Sequence, residues 1–363
     1  MSEPLKVGMI GTGHISDRHM TAYVEHPDRV RLTAVCDIDE PLASEYAKKT
    51  GAESGYTDYE DMLRNADIEA VDICTGPHLH SMFAIAAANA GKHVLTEKPM
   101  AHNLQACRDM IEAADNAGVT LMVAQQLRFS ADAAAVKKMI GDGTLGDILA
   151  ARTHLFMGTG PRAKKPRDSA QGGGILLTNS IHHIDLLRHY LGNIKRVSAF
   201  CRSGQTHMEN VAEDLVTASI EFENGAICDV FAGCTYVFPD RCFYMVLGSE
   251  GPLHSTPSLV MGGPAESPYP HFGTIMYSPR EQLDLQKESD RKKIVYPPFE
   301  PIDSSGTNLS TNYFVNEILH FEECCRTGKE PITSGRDNIE SMKVVFGFLE
   351  SSRTGMGVDL ADL

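Results

Sequence analysis

Tryptophan is absent from the 363 residues, and aromatic side chains together make up only 7% of them. A pocket that stacks a flat aromatic ligand draws on such side chains, so their scarcity argues for a polar ligand. Positive charge is also in deficit, with 33 Lys and Arg against 48 Asp and Glu and a net charge of −15. That balance repels nucleic acid and anionic lipid and argues against a DNA-binding role. No apolar run approaches the roughly 18 to 20 residues that a membrane helix needs, and Met1–Lys6 leads at once into a short strand pattern rather than an apolar signal core. No Cys-x-x-Cys pair occurs among the nine cysteines, an odd and scattered set that reads as reduced thiols. The expectation is a cytoplasmic protein with no nucleic-acid or membrane partner and no bound metal. No internal repeat is visible.

What is present is ordinary for a globular protein, with 42% hydrophobic and 22% charged residues. The length exceeds what one core usually serves, so two domains are expected. From Leu5 to about Gln126, short β-branched runs alternate with Ala-rich helical patterns, the mark of a doubly wound parallel sheet. Strands are predicted at Lys6–Ile10, Val30–Cys36, Ala70–Thr75, His93–Thr96 and Thr120–Ala124, with helices at Ser16–Glu25, Glu40–Lys49, Leu79–Ala90 and Leu104–Ala117. After a helix at Ala131–Ile140 the strands Ile148–Met157, Arg196–Cys201, Leu215–Glu223, Ala226–Tyr236 and Cys242–Leu247 follow one another with few helices between. An open, mainly antiparallel sheet is the natural reading. Helices at Ile175–Leu191, Tyr313–Cys325 and Arg336–Ser352 flank it, and 252–306 reads as a long loop. The boundary falls between a dinucleotide-binding domain at 1–126 and a substrate-binding and oligomerisation domain at 127–363.

The first predicted strand runs into Gly11-Thr12-Gly13-His14-Ile15-Ser16, a variant of the dinucleotide fingerprint. Gly11 permits the tight turn, and Gly13 lets the backbone approach a pyrophosphate seated on the helix N-terminus. The next strand ends in Asp37, which can accept hydrogen bonds from ribose hydroxyls. Ile38 follows it rather than Ser, Arg or Lys, so nothing there grips a 2′-phosphate and the carboxylate repels one; NAD is favoured over NADP. Thr75-Gly76-Pro77-His78 follows the third strand and borders the same cleft, where Thr75 is a candidate contact. His80 either touches the cofactor or is a residue of the helix N-terminus and nothing more. Thr96-Glu97-Lys98-Pro99 ends the next strand, so that Lys98 points into the ligand crevice unless Glu97 and Lys98 are a solvated surface pair. Gln126 closes the list of candidate cofactor contacts.

Gly11–Ser16, Asp37 and Glu97-Lys98-Pro99 together resemble the glucose-fructose oxidoreductase/inositol dehydrogenase (Gfo/Idh/MocA) family. Leu127-Arg128-Phe129, Gly172-Gly173-Gly174 with the helix after it, Gly248-Ser249-Glu250-Gly251 and Gly328-Lys329-Glu330-Pro331 extend the likeness over nearly the whole chain. The resemblance implies hydride transfer between nicotinamide and a secondary alcohol of a sugar, cyclitol or derivative, in a homodimer or homotetramer. His182 stands where the family has its catalytic His, and Lys98 would hydrogen-bond the same substrate oxygen. The chain departs from the family at Thr178, where an Asp is common, and at Ser180, where a Gly is common. A neutral Thr hydroxyl can orient His182 but offers no charge to support its imidazolium.

His182 and His183 lie about 100° apart on a helix, so one can serve catalysis while the other lines the pocket beside Asn179, or either can be core packing beside Ile181 and Ile184. Arg128 either meets substrate hydroxyls, supports the nicotinamide-side loop, or forms an interdomain salt bridge. Tyr236 is a candidate pocket wall. Two other functions remain open: a non-catalytic dinucleotide-binding sensor, and a dehydrogenase of cyclic diols or a biliverdin-like reductase on the same scaffold.

Overall fold

The computed structural model describes residues 3–157, 172–203, 212–234, 242–256, 275–279, 299–307 and 309–363. In chain order it contains β1 (Leu5–Ile10), α1 (Ser16–Glu25), β2 (Val30–Cys36), α2 (Glu40–Thr50), β3 (Ser54–Tyr56), α3 (Tyr59–Asn65), β4 (Ala70–Ile73), α4 (Pro77–Asn89), β5 (His93–Glu97), α5 (Leu104–Ala117), β6 (Leu121–Ala124) and α6 (Ala131–Gly141). It continues with β7 (Ile148–Met157), α7 (Ile181–Leu191), β8 (Ile194–Arg202), β9 (Leu215–Phe222), β10 (Ile227–Cys234), β11 (Cys242–Gly248), β12 (Gly251–Ser255), β13 (Ile275–Tyr277), β14 (Glu300–Pro301), α8 (Tyr313–Thr327), α9 (Gly335–Thr354) and β15 (Val358–Asp359). Two compact units result: Met1–Ser130, Arg167–Asp185 and Leu309–Phe346 form one, and Ala131–Pro166, Leu186–Asn308 and Gly347–Leu363 form the other. The first unit thus takes in two stretches that lie beyond residue 126 in the chain.

A six-stranded parallel sheet, β3-β2-β1-β4-β5-β6, organises the first unit. Every residue of β4 and β6 is buried, as expected where helices cover both faces of a parallel sheet. The strand order turns back between β1 and β4, so the ligand crevice of such a fold opens at their carboxyl ends. The helices between them start and stop where the sequence provides caps. Asp39 and Asn103 accept the amide N–H groups of Leu42 and Ala106 to open α2 and α5, and left-handed Gly51 and Gly118 close them. Strand β3 and helix α3 lie outside the elements expected from the sequence. β3 is three residues with a central Gly55, too short to show a period, and α3 is set by Asp58, whose carboxylate caps two amides.

In the second unit nine strands run in the order β14-β13-β12-β11-β7-β10-β9-β8-β15. All neighbours are antiparallel except β7 and β10, which pair in parallel from Ile227↔Ala150 to Cys234↔Met157. The stretch read as a loop, 252–306, contributes β13, β14 and most of β12 within its described residues. Along β9, Val216, Ala218, Ile220 and Phe222 are buried while Thr217 and Ser219 are exposed, the alternation of a half-covered sheet. Residues of the exposed face are partly apolar: Phe200 is 63% and Ile227 60% exposed, and Phe231 and Leu247 join them. At the β8 edge, Ser351 and Ser352 accept the amides of Ala199 and Cys201, which satisfies donors that β15 does not reach.

Candidate active site

The turn from β1 into α1 is closed over the end of β4. Gly11 has φ +92°, and a Cβ there would lie 2.9 Å from Cys74 O and 2.8 Å from Thr75 Cγ2, so only glycine fits. At Gly13 a Cβ would meet nothing within 4 Å, and Gly13 and His14 are exposed. Ile15, half-buried, holds the N-cap position of α1 and offers no side-chain hydrogen bond to its first amides. The amides of Ser16 and Arg18 turn to the backbone carbonyls of Gly13 and Ile15, and the Thr75 hydroxyl near Gly11 is buried without a hydrogen-bond partner. A helix N-terminus with no side-chain cap, beside a glycine whose Cβ position is open, suits a dinucleotide pyrophosphate, so the residues fit NAD. Thr12 donates to Asp37 Oδ2 from its amide and its hydroxyl, at 2.9 and 2.8 Å, and the Asp39 amide donates to Oδ1 at 3.1 Å. Partial burial works against the charge, but the Asp39, Thr12 and Ile38 amides and the Thr12 hydroxyl hold the Asp37 carboxyl below its usual range. The anion sits at the strand end where ribose hydroxyls are bound in this fold.

Lys98 follows β5 directly and is joined to Pro99 by a cis peptide bond. Its ammonium donates to the backbone carbonyl of Thr178 at 2.8 Å, and Glu97, only 3% exposed, accepts the Lys98 amide and meets His19, so the two are not a solvated surface pair. His80 is fully buried between the carbonyls of Pro99 (2.8 Å) and Thr75 (3.0 Å), so it ties the β4 and β5 turns together rather than facing a ligand. Both Gln125 and Gln126 are buried after β6, and the Gln126 side-chain carbonyl has no partner among the described residues.

Gly172, at φ +77°, packs against Pro77, where a Cβ would fall 2.8 Å from the ring. The chain then makes a π-helical turn over Leu176–Ser180 before α7 begins, an irregularity that often accompanies functional positions. The Thr178 hydroxyl lies 2.5 Å from Gly174 O and 2.9 Å from Asn179 Oδ1. Thr178 therefore reaches Lys98 through its backbone, and His182 follows four residues later on α7. His182 and His183 are both buried. Arg128 takes the ion-pair alternative but entirely within the first unit: 5% exposed, it grips Asp185 through Nε and Nη2 at 2.6 Å, Asp337 at 2.7 Å and Ile332 O at 2.8 Å. Those bonds occupy most of its donors and leave it a brace rather than a substrate ligand. Tyr236 lies outside the described residues.

The sequence reading missed a polar cluster under the Lys98 turn. His19 Nδ1 lies 2.9 and 3.1 Å from the two Asp72 oxygens and its Nε2 lies 3.1 Å from Glu97 Oε1, while the Tyr23 hydroxyl donates to Asp72 at 2.9 Å. Burial opposes the charge on His19, yet Asp72 lifts its pKa well above the usual imidazole value. Cys74 is nearby, its thiol pushed up to about 12 by burial and the Asp72 carboxylate. His19, Asp72 and Cys74 are the one described group with the residue types to hold a metal ion, but the imidazole and carboxylate are already engaged with each other. Glu317 on α8 is fully buried with neither carboxyl oxygen partnered. Burial raises its pKa well above the usual value; the His19 cation opposes the rise, and Glu97, Asp72 and Asp185 add to it. The one visible signal was Asp72, a charged residue inside the buried strand Ala-Val-Asp-Ile.

Comparison with known proteins agrees with this geometry. A family model described as "Oxidoreductase family, NAD-binding Rossmann fold" matches residues 5–125, and one described as "Oxidoreductase family, C-terminal alpha/beta domain" matches residues 137–360. The D-apiose dehydrogenase of Paraburkholderia graminis is 27% identical over 99% of this chain and 90% of its own length. The scyllo-inositol 2-dehydrogenase (NAD(+)) of Bacillus subtilis is also 27% identical, over 99% and 97%. Among solved structures, a levoglucosan dehydrogenase in complex with NADH and levoglucosan has the same fold, with a TM-score of 0.82 at 23% identity over 98% of this chain and 99% of that one. The chain belongs to the Gfo/Idh/MocA family of NAD-binding oxidoreductases.

Proposed function

We propose that this NAD-dependent oxidoreductase interconverts a secondary alcohol and a ketone on a sugar, cyclitol or related polyol, with Lys98 and His182 at the reacting oxygen. The observation that carries the reading is the 2.8 Å bond from the Lys98 ammonium to Thr178 O, which brings the lysine to the segment that carries His182 four residues on. Bound NAD supplies the hydride acceptor. Lys98 hydrogen-bonds the hydroxyl oxygen and stabilises negative charge on it, while His182 takes the hydroxyl proton and returns it in the reverse direction. Asn179 and His183 line the pocket beside them. Named relatives that act on apiose and scyllo-inositol support a polyol substrate.

A second copy of the chain is the proposed partner, docked on the exposed sheet face around Phe200, Ile227, Phe231 and Leu247, because an apolar patch of that kind marks an association surface. All nine cysteines are unpaired, which supports a reducing, cytoplasmic location. No helix among the described residues is long and apolar enough to cross a membrane. The direct test is a screen of NAD reduction against cyclitols, aldoses, glycosides and sugar acids. Turnover with at least one polyol is expected. NAD binding by calorimetry without turnover on any of them overturns the substrate reading in favour of a dinucleotide sensor.

A further inference from the structure

We infer that His19 is a positioning residue for the reaction: held between Asp72 and Glu97, it fixes the carboxylate that holds the Lys98 amide and thereby aims the Lys98 ammonium. The inference rests on the reading of Lys98 as the group that meets the reacting oxygen. Strand geometry assembles the parts. Asp72 pairs with Leu95 across β4 and β5, so Glu97, two residues on, projects from the same face of the sheet as Asp72. Helix α1 covers that face and places His19 between the two carboxylates, with Phe314 of α8 against its ring at 5.8 Å. Ionised carboxylates accept and never donate, so both ring nitrogens must carry protons to serve both. A neutral ring would turn a lone pair toward one of the anions.

Glu97 transmits the constraint. Its Oε1 meets His19 at 3.1 Å and its Oε2 accepts the Lys98 amide at 2.9 Å. Lys98 is thus held at both ends, through its backbone by Glu97 and through its side chain by Thr178 O. The His19 and Asp72 side chains are 0% exposed and that of Glu97 is 4% exposed, so water cannot take over for a missing partner. A buried ion cluster is weak evidence for stability, because desolvation offsets the attraction. It does restrict a carboxylate to one orientation, and the carboxylate restricted here touches the amide of the proposed catalytic lysine. Placement errors of about 1 Å at a reacting group can cost on the order of 10² in rate.

The test is a double-mutant cycle with His19→Gln and Glu97→Gln, run beside Lys98→Met on the polyol that gives the fastest NADH formation. We expect His19→Gln to lower kcat by roughly 10- to 10²-fold, to leave the NAD Kd from calorimetry within about twofold, and to raise the deuterium isotope effect on kcat by exposing the chemical step. Independently of activity, exchange of the Lys98 amide in the ligand-free protein, read by mass spectrometry with electron-transfer fragmentation, should accelerate about tenfold. The two substitutions should not add, since both break the same link. Unchanged kcat and unchanged Lys98 exchange in His19→Gln, or strictly multiplicative losses in the double variant, overturn the inference. If Lys98→Met itself keeps full turnover, the reading of Lys98 is what fails, and the exchange measurement still decides whether His19 holds the turn. Should His19→Gln not fold, Tyr23→Phe removes one donor from Asp72 while keeping every charge. It should speed Lys98 exchange about two- to threefold, and no change there counts against the inference.

Discussion

The two sheets of this molecule put their chemistry in different places. The parallel sheet is mostly apolar on both faces, with Asp72 as the buried acid inside β4, and its other chemistry gathers where the strands end, at Asp37, Thr75 and Glu97-Lys98. The mixed sheet alternates, with one face buried and the other carrying Phe200, Ile227 and Phe231 beside ion pairs such as Arg152–Asp229 at 2.9 Å. A sheet covered on both sides has only its ends left for function, whereas a half-covered sheet offers a whole face. Ligand chemistry is therefore expected at the edge of the first, and association on the face of the second.

The largest expected effect tests the edge. Lys98→Met and His182→Ala should each lower kcat by about 10²- to 10⁴-fold, the usual contribution of a group that handles a proton, with NAD affinity nearly unchanged. Stopped-flow turnover and calorimetry check both, and wild-type kcat in the two variants would remove proton handling from these residues. Next comes the face. Light scattering should report at least a dimer, and Ile227→Asp should weaken its association by about tenfold or more, or about 1.4 kcal/mol, with turnover per protomer preserved. A wild-type protein that stays monomeric at micromolar concentration breaks the comparison at its second half.

A smaller change is expected at Asp37. The wild type should show the higher kcat/KM with NAD, and Asp37→Ala should narrow its preference over NADP by roughly tenfold, through loss of a ribose acceptor and of a repulsive charge. A wild-type preference for NADP would contradict the reading of the β2 end. The smallest effect concerns stability beneath the edge. Because the folded-state pKa of Glu317 is raised, the native protein holds a proton there that the unfolded chain releases. That contribution is fully present below the ordinary carboxylate range and is lost as pH rises through the folded value. Glu317→Gln lacks the loss, so its Tm should match wild type near pH 4.5 and exceed it by about 2 to 4 °C at neutral pH. A Tm difference that does not change with pH would show that Glu317 is not protonated in the native state.

Much of the edge was legible in the sequence because its signals are local. Gly11 and Gly13 follow a strand, Asp37 ends the next, and Lys98 ends another, so position along the chain stands in for position in space. Arg128 was ambiguous because its partners, Asp185 and Asp337, are distant in sequence and carry no pattern that names them. Lys98 has an acceptor that no side-chain inventory reveals, a backbone carbonyl in a π-helical turn. The parallel pairing of β7 with β10 was hidden for a similar reason: alternation reports which face of a strand is buried and not which neighbour lies beside it. His19 looked like an ordinary helix residue until the fold brought two carboxylates to it.

The bond from Lys98 to the carbonyl of Thr178 bears on how such a site diverges. Every amino acid supplies a backbone oxygen, so the lysine's anchor survives any replacement at position 178 that leaves the turn intact. The Thr178 hydroxyl is engaged separately, 2.5 Å from Gly174 O and 2.9 Å from Asn179 Oδ1, so a replacement acts on the turn and not on the lysine's acceptor atom. An Asp at this position would add a charge to the turn while the carbonyl that holds Lys98 stayed in place.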